Sequence, residues 1–275
     1  MQVPATHAEL VQEPREHEVD VPGRPRFMRD GVGYAVSVPR RPTLGRRLAA
    51  AAVWPFGVAL TSWNYMWRTT PMHRREVAGS PLEDRPPPLP SRVSREEVQP
   101  AEAGVGPLFH RRYRARIRNP RLSPEKLVAR VTADPNRVAP TEFARFQKIL
   151  GDERLMRLGD EFVVRMPGPW DGPVRVVDVT ATSFRFVTLS GHLEAGQIEF
   201  RAGRQDGELV FCIESWARSG DWLCNLLYDR LRMAKEIQLH MWISFLERVA
   251  RLSGGRMSGG IEIETRRVDE ADDAA

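Results

Sequence analysis

The chain has 275 residues, 41% of them hydrophobic and 28% charged, so it can bury a core, while 22 prolines and a polar first third indicate that only part of it does so. Two cysteines, Cys212 and Cys224, are too few for a secreted disulfide framework and lack a CxxC spacing for zinc, which fits a reducing cytoplasm. The net charge of +5 is local: seven arginines and no carboxylate lie between Gly31 and Arg75, six more arginines between Arg111 and Arg121, and the remainder is net negative.

Residues 1–43 mix acidic, basic and proline residues without sustained periodicity and read as a flexible arm. No apolar h-region occurs among them, so a secretory signal is not expected. Residues 44–70 contain twenty uncharged positions, Leu48 to Trp67, flanked by Arg46-Arg47 and Arg68. Length alone would let this stretch span a bilayer, but Pro55, Gly57 and Asn64 dilute it. Its five aromatics suit either a helix docked on the domain or peripheral contact of residues 40–75 with an anionic membrane surface. Residues 71–103 read as a linker, in which Arg85 to Pro90 (RPPPLP) favours polyproline II.

From residue 104 the texture becomes alternation broken by turn signals. Arg111 to Ile117 reads as a strand, and Ser123-Pro-Glu opens a helix to Thr132 with an N-cap and Pro at its first position. A less regular segment covers Thr141 to Ile149. Five strand-like runs follow at 160–166, 173–179, 182–189, 196–203 and 207–216, separated by Gly-, Pro- and Asp-rich turns, as in an antiparallel meander. A long amphipathic helix runs from 220 to 252 and stops at Gly254-Gly255, leaving 254–275 as a polar tail.

Splitting each strand by its twofold period gives one apolar face, including Tyr113, Phe184, Phe186, Phe200 and Phe211, and one charged face, including Arg112, Arg114, Arg201 and Glu214. An apolar sheet face needs a cover, and the terminal helix supplies one through Leu231, Trp242, Phe245 and Val249. Gln238 sits within that stripe and needs a hydrogen-bond partner, whereas Glu236, His240 and Glu247 fall opposite and read as a solvated face, with metal ligation as the alternative. The expected fold class is therefore α+β.

The stretch Phe186-Val-Thr-Leu-Ser-Gly-His-Leu-Glu-Ala-Gly-Gln-Ile-Glu-Phe200, followed by Ser215-Trp-Ala-Arg-Ser219 and a long helix, resembles the uncharacterised family DUF1990. The resemblance covers residues 105–253, and Trp63 to Arg75 is similar to an extension in actinobacterial members. It implies an SRPBCC-type, START-like helix-grip fold over residues 104–253, a curved antiparallel sheet wrapped on a long C-terminal helix. It supplies no activity and no catalytic residues.

No metal site, cofactor or nucleotide loop is expected, because His192-x-Glu194 lacks the cysteine pair of zinc deaminases and the Gly254–Gly260 run follows a helix. Nucleic acid is not an expected partner either, since carboxylates share the arginine-bearing face and no aromatics interleave there. The concave wall offers Tyr113, Thr188, Ser215 and Gln238 as polar groups beside Trp242 and Phe245, a set suited to a hydrophobic small molecule or lipid. Two other readings stand beside that one. His192, with Glu194, would serve proton transfer at a cavity mouth in a hydrolase- or cyclase-like enzyme, against a plain role in closing its loop. A core filled by its own phenylalanines would instead leave a docking protein.

Overall fold

The computed structural model describes residues 70–152, 154–166, 171–220 and 233–269, with side chains of the last segment described from Gln238 onward. Among these residues nine strands form one sheet: β1 Met72–Ala78, β2 Val105–Arg118, β3 Arg145–Leu150, β4 Glu161–Arg165, β5 Asp171–Val179, β6 Ser183–Thr188, β7 Glu194–Gln205, β8 Glu208–Ser219 and β9 Arg256–Val268. Two α-helices accompany them, α1 Pro124–Ala133 and α2 Met233–Ser253. The arm of residues 1–43, the apolar segment 48–67 and the first part of the long helix lie outside the described residues.

The sheet order is β1-β9-β2-β8-β7-β6-β5-β4-β3, curved and unclosed, with β1 and β3 at its edges. Every pairing is antiparallel except that of β1 with β9. The β7–β8 hairpin turns through Asp206 and Gly207, both at positive φ, the conformation a tight two-residue connection requires. Ser123 caps α1 by accepting from the Lys126 N–H, and Gly254, at φ +74°, ends α2 in the left-handed region.

Inner-face residues of β2 and β4–β8 bury together with α2: Ala115, Phe184, Phe186, Phe200, Phe211 and Ile213 share one core with Trp242, Phe245 and Val249. The fold is thus a helix-grip of the α+β class, in which an antiparallel sheet closes on a C-terminal helix. Second-stripe residues Leu239, Ile243, Leu246 and Ala250 are also buried, because residues 138–144 cover the far side of α2. Arg248 there donates to the Ala139 carbonyl and pairs with Glu142. This corrects one expectation: His240 does not face water but is 4% exposed, edge-on to Phe143 at 5.2 Å between ring centroids. A single amphipathic stripe was too simple for a helix covered from both sides.

Two stretches expected to be irregular enter the sheet. Met72–Ala78, within the expected linker, is β1, and Arg256–Val268, within the expected polar tail, is β9 inserted between β1 and β2. Ile261 and Ile263 of β9 are buried on the inner face, and Glu262 answers Arg114 and Arg116 on the outer one.

The proline-rich residues after β1 cross the outer face as a strap. Asp84 bonds His110 on β2, the Pro87 carbonyl accepts from Gln197 on β7, and the Ser94 and Glu96 carbonyls accept from Arg175 on β5. Val93 of the strap packs with Val177 and Val187, joined by Leu89 and Val98. Side chains of the sheet thus satisfy carbonyls of the strap. The outer face is consequently not uniformly charged and solvated: beneath the strap it is a small apolar core.

Candidate functional site

Ser215 lies on the inner face of β8, paired in register with Arg111 on β2 and Ile198 on β7. Two residues earlier on the same face, Ile213 pairs with Phe200, and the Trp242 ring rests on Phe200 at 5.7 Å. One turn before Trp242 on α2, Gln238 donates from Nε2 to both carboxylate oxygens of Glu194 at 3.2 Å and accepts from Arg111 Nη1 at 3.5 Å. Arg111 Nη1 also lies 3.7 Å from Glu194 Oε1. Arg111, Glu194 and Gln238 thereby form a polar rim that joins β2, β7 and α2 around Ser215 and Trp242.

Inside that rim two donors have no acceptor. Ser215 Oγ and Trp242 Nε1 are buried, in residues 5% and 7% exposed, and neither has a hydrogen-bond partner among the described residues. A buried polar group left unpaired costs about 1–3 kcal/mol, so one such donor on β8 and one on α2, the elements that the rim joins or flanks, are an unusual expense for a plain core. Below them the grip is occupied by rings. Phe184 stacks on Phe200 at 4.7 Å, Phe186 meets Phe146, Phe162, Phe184 and Phe200 within 6.1 Å, and Phe245 touches Phe200, Phe211 and Trp242. Phe245 therefore helps fill the interior, and Tyr113, 4% exposed, belongs to the same core.

Thr188 has its hydroxyl committed elsewhere: it donates to the Gln99 carbonyl at 2.8 Å and accepts from the Gly196 N–H at 2.9 Å. His192 likewise serves its loop. Its Nδ1 accepts from the Glu194 N–H at 2.9 Å, which places the remaining proton on Nε2. Burial lowers the His192 pKa from its ordinary value, outweighing the nearby Glu194 charge that raises it, so the ring is neutral at pH 7. Gln99 clasps the same loop, donating to the His192 and Glu194 carbonyls and accepting from Gly191 N–H. His192 and Glu194 are therefore two residues apart with separate tasks, the imidazole turned to the loop backbone and the carboxylate to Gln238 and Arg111.

Sequence reasoning missed Arg111, counted only as one member of a basic run. Its parity with Tyr113 and Ala115 carried the signal that it faces inward. It also missed the ionic lock under the strap, where His110 Nδ1 lies 2.6 Å from Asp84 Oδ1 and Nε2 lies 2.8 Å from Glu214 Oε1. Arg112 and Arg201 complete the ring around Glu214, and Trp216 stacks on the imidazole at 5.1 Å. Burial works against ionising Glu214, but the hydrogen bonds and charges of His110 and Arg112 outweigh it and hold the carboxyl down to about 2. Asp84 is lowered in the same way, its burial offset by the bonds from His110 and from the Ser80 N–H. No group of three or more His, Cys, Asp or Glu suited to a metal occurs among the described residues.

The profile of the family described as "Domain of unknown function (DUF1990)" matches residues 83–248, more than half of the chain, and the chain belongs to that family. Strands β1 and β9 fall outside the matched range. No curated protein matches the sequence. Among solved structures, the chain is similar to the di-domain ARO/CYC StfQ from the steffimycin biosynthetic pathway, with 10% identity, a TM-score of 0.42 and 56% of this chain covered. It spans about half the length of that protein, 52%. Norcoclaurine synthase from Thalictrum flavum in complex with dopamine and hydroxybenzaldehyde gives 10% identity and a TM-score of 0.36 over 55% of this chain and 88% of that one. A hypothetical protein, jhp0584 from Helicobacter pylori, gives 8% identity and a TM-score of 0.38 over 60% and 94%.

Proposed function

We propose that this protein is a binding protein for a small, largely hydrophobic molecule that carries a hydrogen-bond acceptor. The molecule seats at the end of the grip bounded by Arg111, Glu194 and Gln238. The observation that carries this reading is the pair of buried, unpaired donors, Ser215 Oγ–H and Trp242 Nε1–H, on the two elements that close on one another. An acceptor such as a carbonyl, ether or hydroxyl oxygen placed between them would satisfy both, and the apolar part would lie against Phe200 and Ile198. Arg111, Glu194 and Gln238 hold one another by charge-assisted bonds, which keeps the rim ordered before the ligand arrives. Thr188 and His192 are spent on backbone contacts, so neither belongs to the proposed contact set.

Native mass spectrometry of the full chain purified from its own cells tests the reading. The expected result is a small-molecule adduct on the wild-type protein that is lost in Ser215→Ala/Trp242→Phe, with unchanged circular dichroism. In the absence of ligand, Ser215→Ala alone should be no less stable than the wild type, because it removes an unpaired hydroxyl. An adduct retained at full occupancy in the double variant, or no adduct at all, would overturn the assignment.

A further inference from the structure

We infer that the outer face of the sheet carries a second, independent binding site, a trough that takes the phosphate group of a small phosphorylated molecule. Its shape follows from side-chain length along the strands. In one cross-strand row Arg114 on β2, Cys212 on β8 and Arg201 on β7 are neighbours, so a short thiol stands between two arginines. In the next row Val210 pairs with Gly203, which has no side chain at all. A Cβ added at Gly203 would meet nothing within 4 Å, so the floor there is open. The result is a depression of about 350 Å³ walled by Arg112 and Arg114 on one side and Arg201 on the other, with Thr182 and Gln205 at its rim.

No carboxylate lines this trough among the described residues. The nearby acids instead hold the arginines from behind: Glu214 takes Arg112 and Arg201, Glu199 takes Arg201, and Glu262 takes Arg114. Each guanidinium carries five N–H donors, and these contacts leave some of them unused on every wall. Adjacent strands lie about 4.8 Å apart, so Arg114 and Arg201, two strands apart, start roughly 10 Å from each other and can converge on one tetrahedral anion. The depression on the other side of the Arg112–Arg114 ridge is different, because Glu262 and Glu264 line it beside His73 and Arg75 and balance its charge. The floor is chemically inert, since burial pushes the Cys212 thiol up to about 11 and keeps it protonated at neutral pH.

The test titrates the full chain with inorganic pyrophosphate by calorimetry at low ionic strength. One-to-one saturable binding is expected, weakened at least about tenfold by Gly203→Glu, which fills the floor and adds a negative charge, and by Arg114→Gln, which removes the charge of one wall. Gly203→Ala should bind like the wild type. If Gly203→Glu does not fold by circular dichroism, Arg114→Gln alone decides. A second arm sediments the protein with phosphatidylcholine vesicles with and without phosphatidic acid. Sedimentation that depends on phosphatidic acid and is lost in the two charge variants assigns the phosphate to a lipid headgroup, and pyrophosphate binding without sedimentation assigns it to a soluble molecule. Absence of saturable pyrophosphate binding below about 1 mM together with no variant-sensitive sedimentation overturns the site, as does binding that neither charge variant changes.

Discussion

Glu214→Gln isolates the ionic lock that pins the proline-rich strap to the sheet. In the wild type this carboxylate accepts from His110, Arg112 and Arg201 while only 8% of its side chain is exposed. Its pKa is held at about 2 in the fold against an ordinary 4.5. The difference corresponds to about 3 kcal/mol of stability at neutral pH, at roughly 1.4 kcal/mol per pKa unit. Because the folded value is the lower one, the contribution is complete above pH 4.5 and fades as pH falls toward 2. Urea unfolding followed by circular dichroism at pH 7 and at pH 2.5 measures it. The variant should lose on the order of 3 kcal/mol at pH 7, more if the stranded Arg112 guanidinium finds no water. Near pH 2.5 the gap between the two proteins should narrow to about 1 kcal/mol. A gap that is equal at both pH values would show that packing, not ionisation, accounts for the loss, and would refute the lock.

Two further substitutions probe the frame of the site. Gly196→Ala should cost about 3 kcal/mol in urea midpoint analysis and loosen the rim at Glu194, because its added Cβ would lie 1.9 Å from the Trp216 carbonyl oxygen, a backbone atom that cannot step aside. Arg175→Met leaves the buried Glu161 carboxylate without its guanidinium and frees the Ser94 and Glu96 carbonyls. It should cost about 3–5 kcal/mol and open residues 79–104 to limited proteolysis well before the sheet is cut, whereas uniform cleavage of both would deny the strap its own stability.

The meander was legible in the sequence because each of its strands obeys a twofold period with a phenylalanine- or valine-rich inner face, and because turns such as Asp206-Gly207 allow few other conformations. What the sequence hid was coverage from outside. β9 carries the same signal in Ile261-Glu262-Ile263-Glu264, yet it follows a helix that ends at Gly254-Gly255 and looks like a terminus. β1, with the sequence MHRREVA, has four exposed positions in a row and no inner-face pattern to read. The strap is harder still. Polyproline segments have no periodicity, and this one is held by Gln197, Arg175 and His110, residues that local pattern assigns to a solvated face.

The same distinction bears on the polar residues of the inner face. Polarity on an apolar face identified Ser215 and Gln238, but it could not tell a hydroxyl that is spent from one that is not. Thr188 and Ser215 stand on the same inner face, and the difference between them lies 89 residues away in sequence, where the Gln99 carbonyl reaches Thr188 and nothing among the described residues reaches Ser215. Long-range backbone geometry decides which of two equivalent-looking hydroxyls is available. Gln99 is placed by the strap, and the strap is locked by Asp84, His110 and Glu214, so the outer-face ion cluster fixes the inner-face loop that carries Glu194. A perturbation of the lock should therefore be felt at the Arg111–Glu194–Gln238 rim although no residue is shared between them.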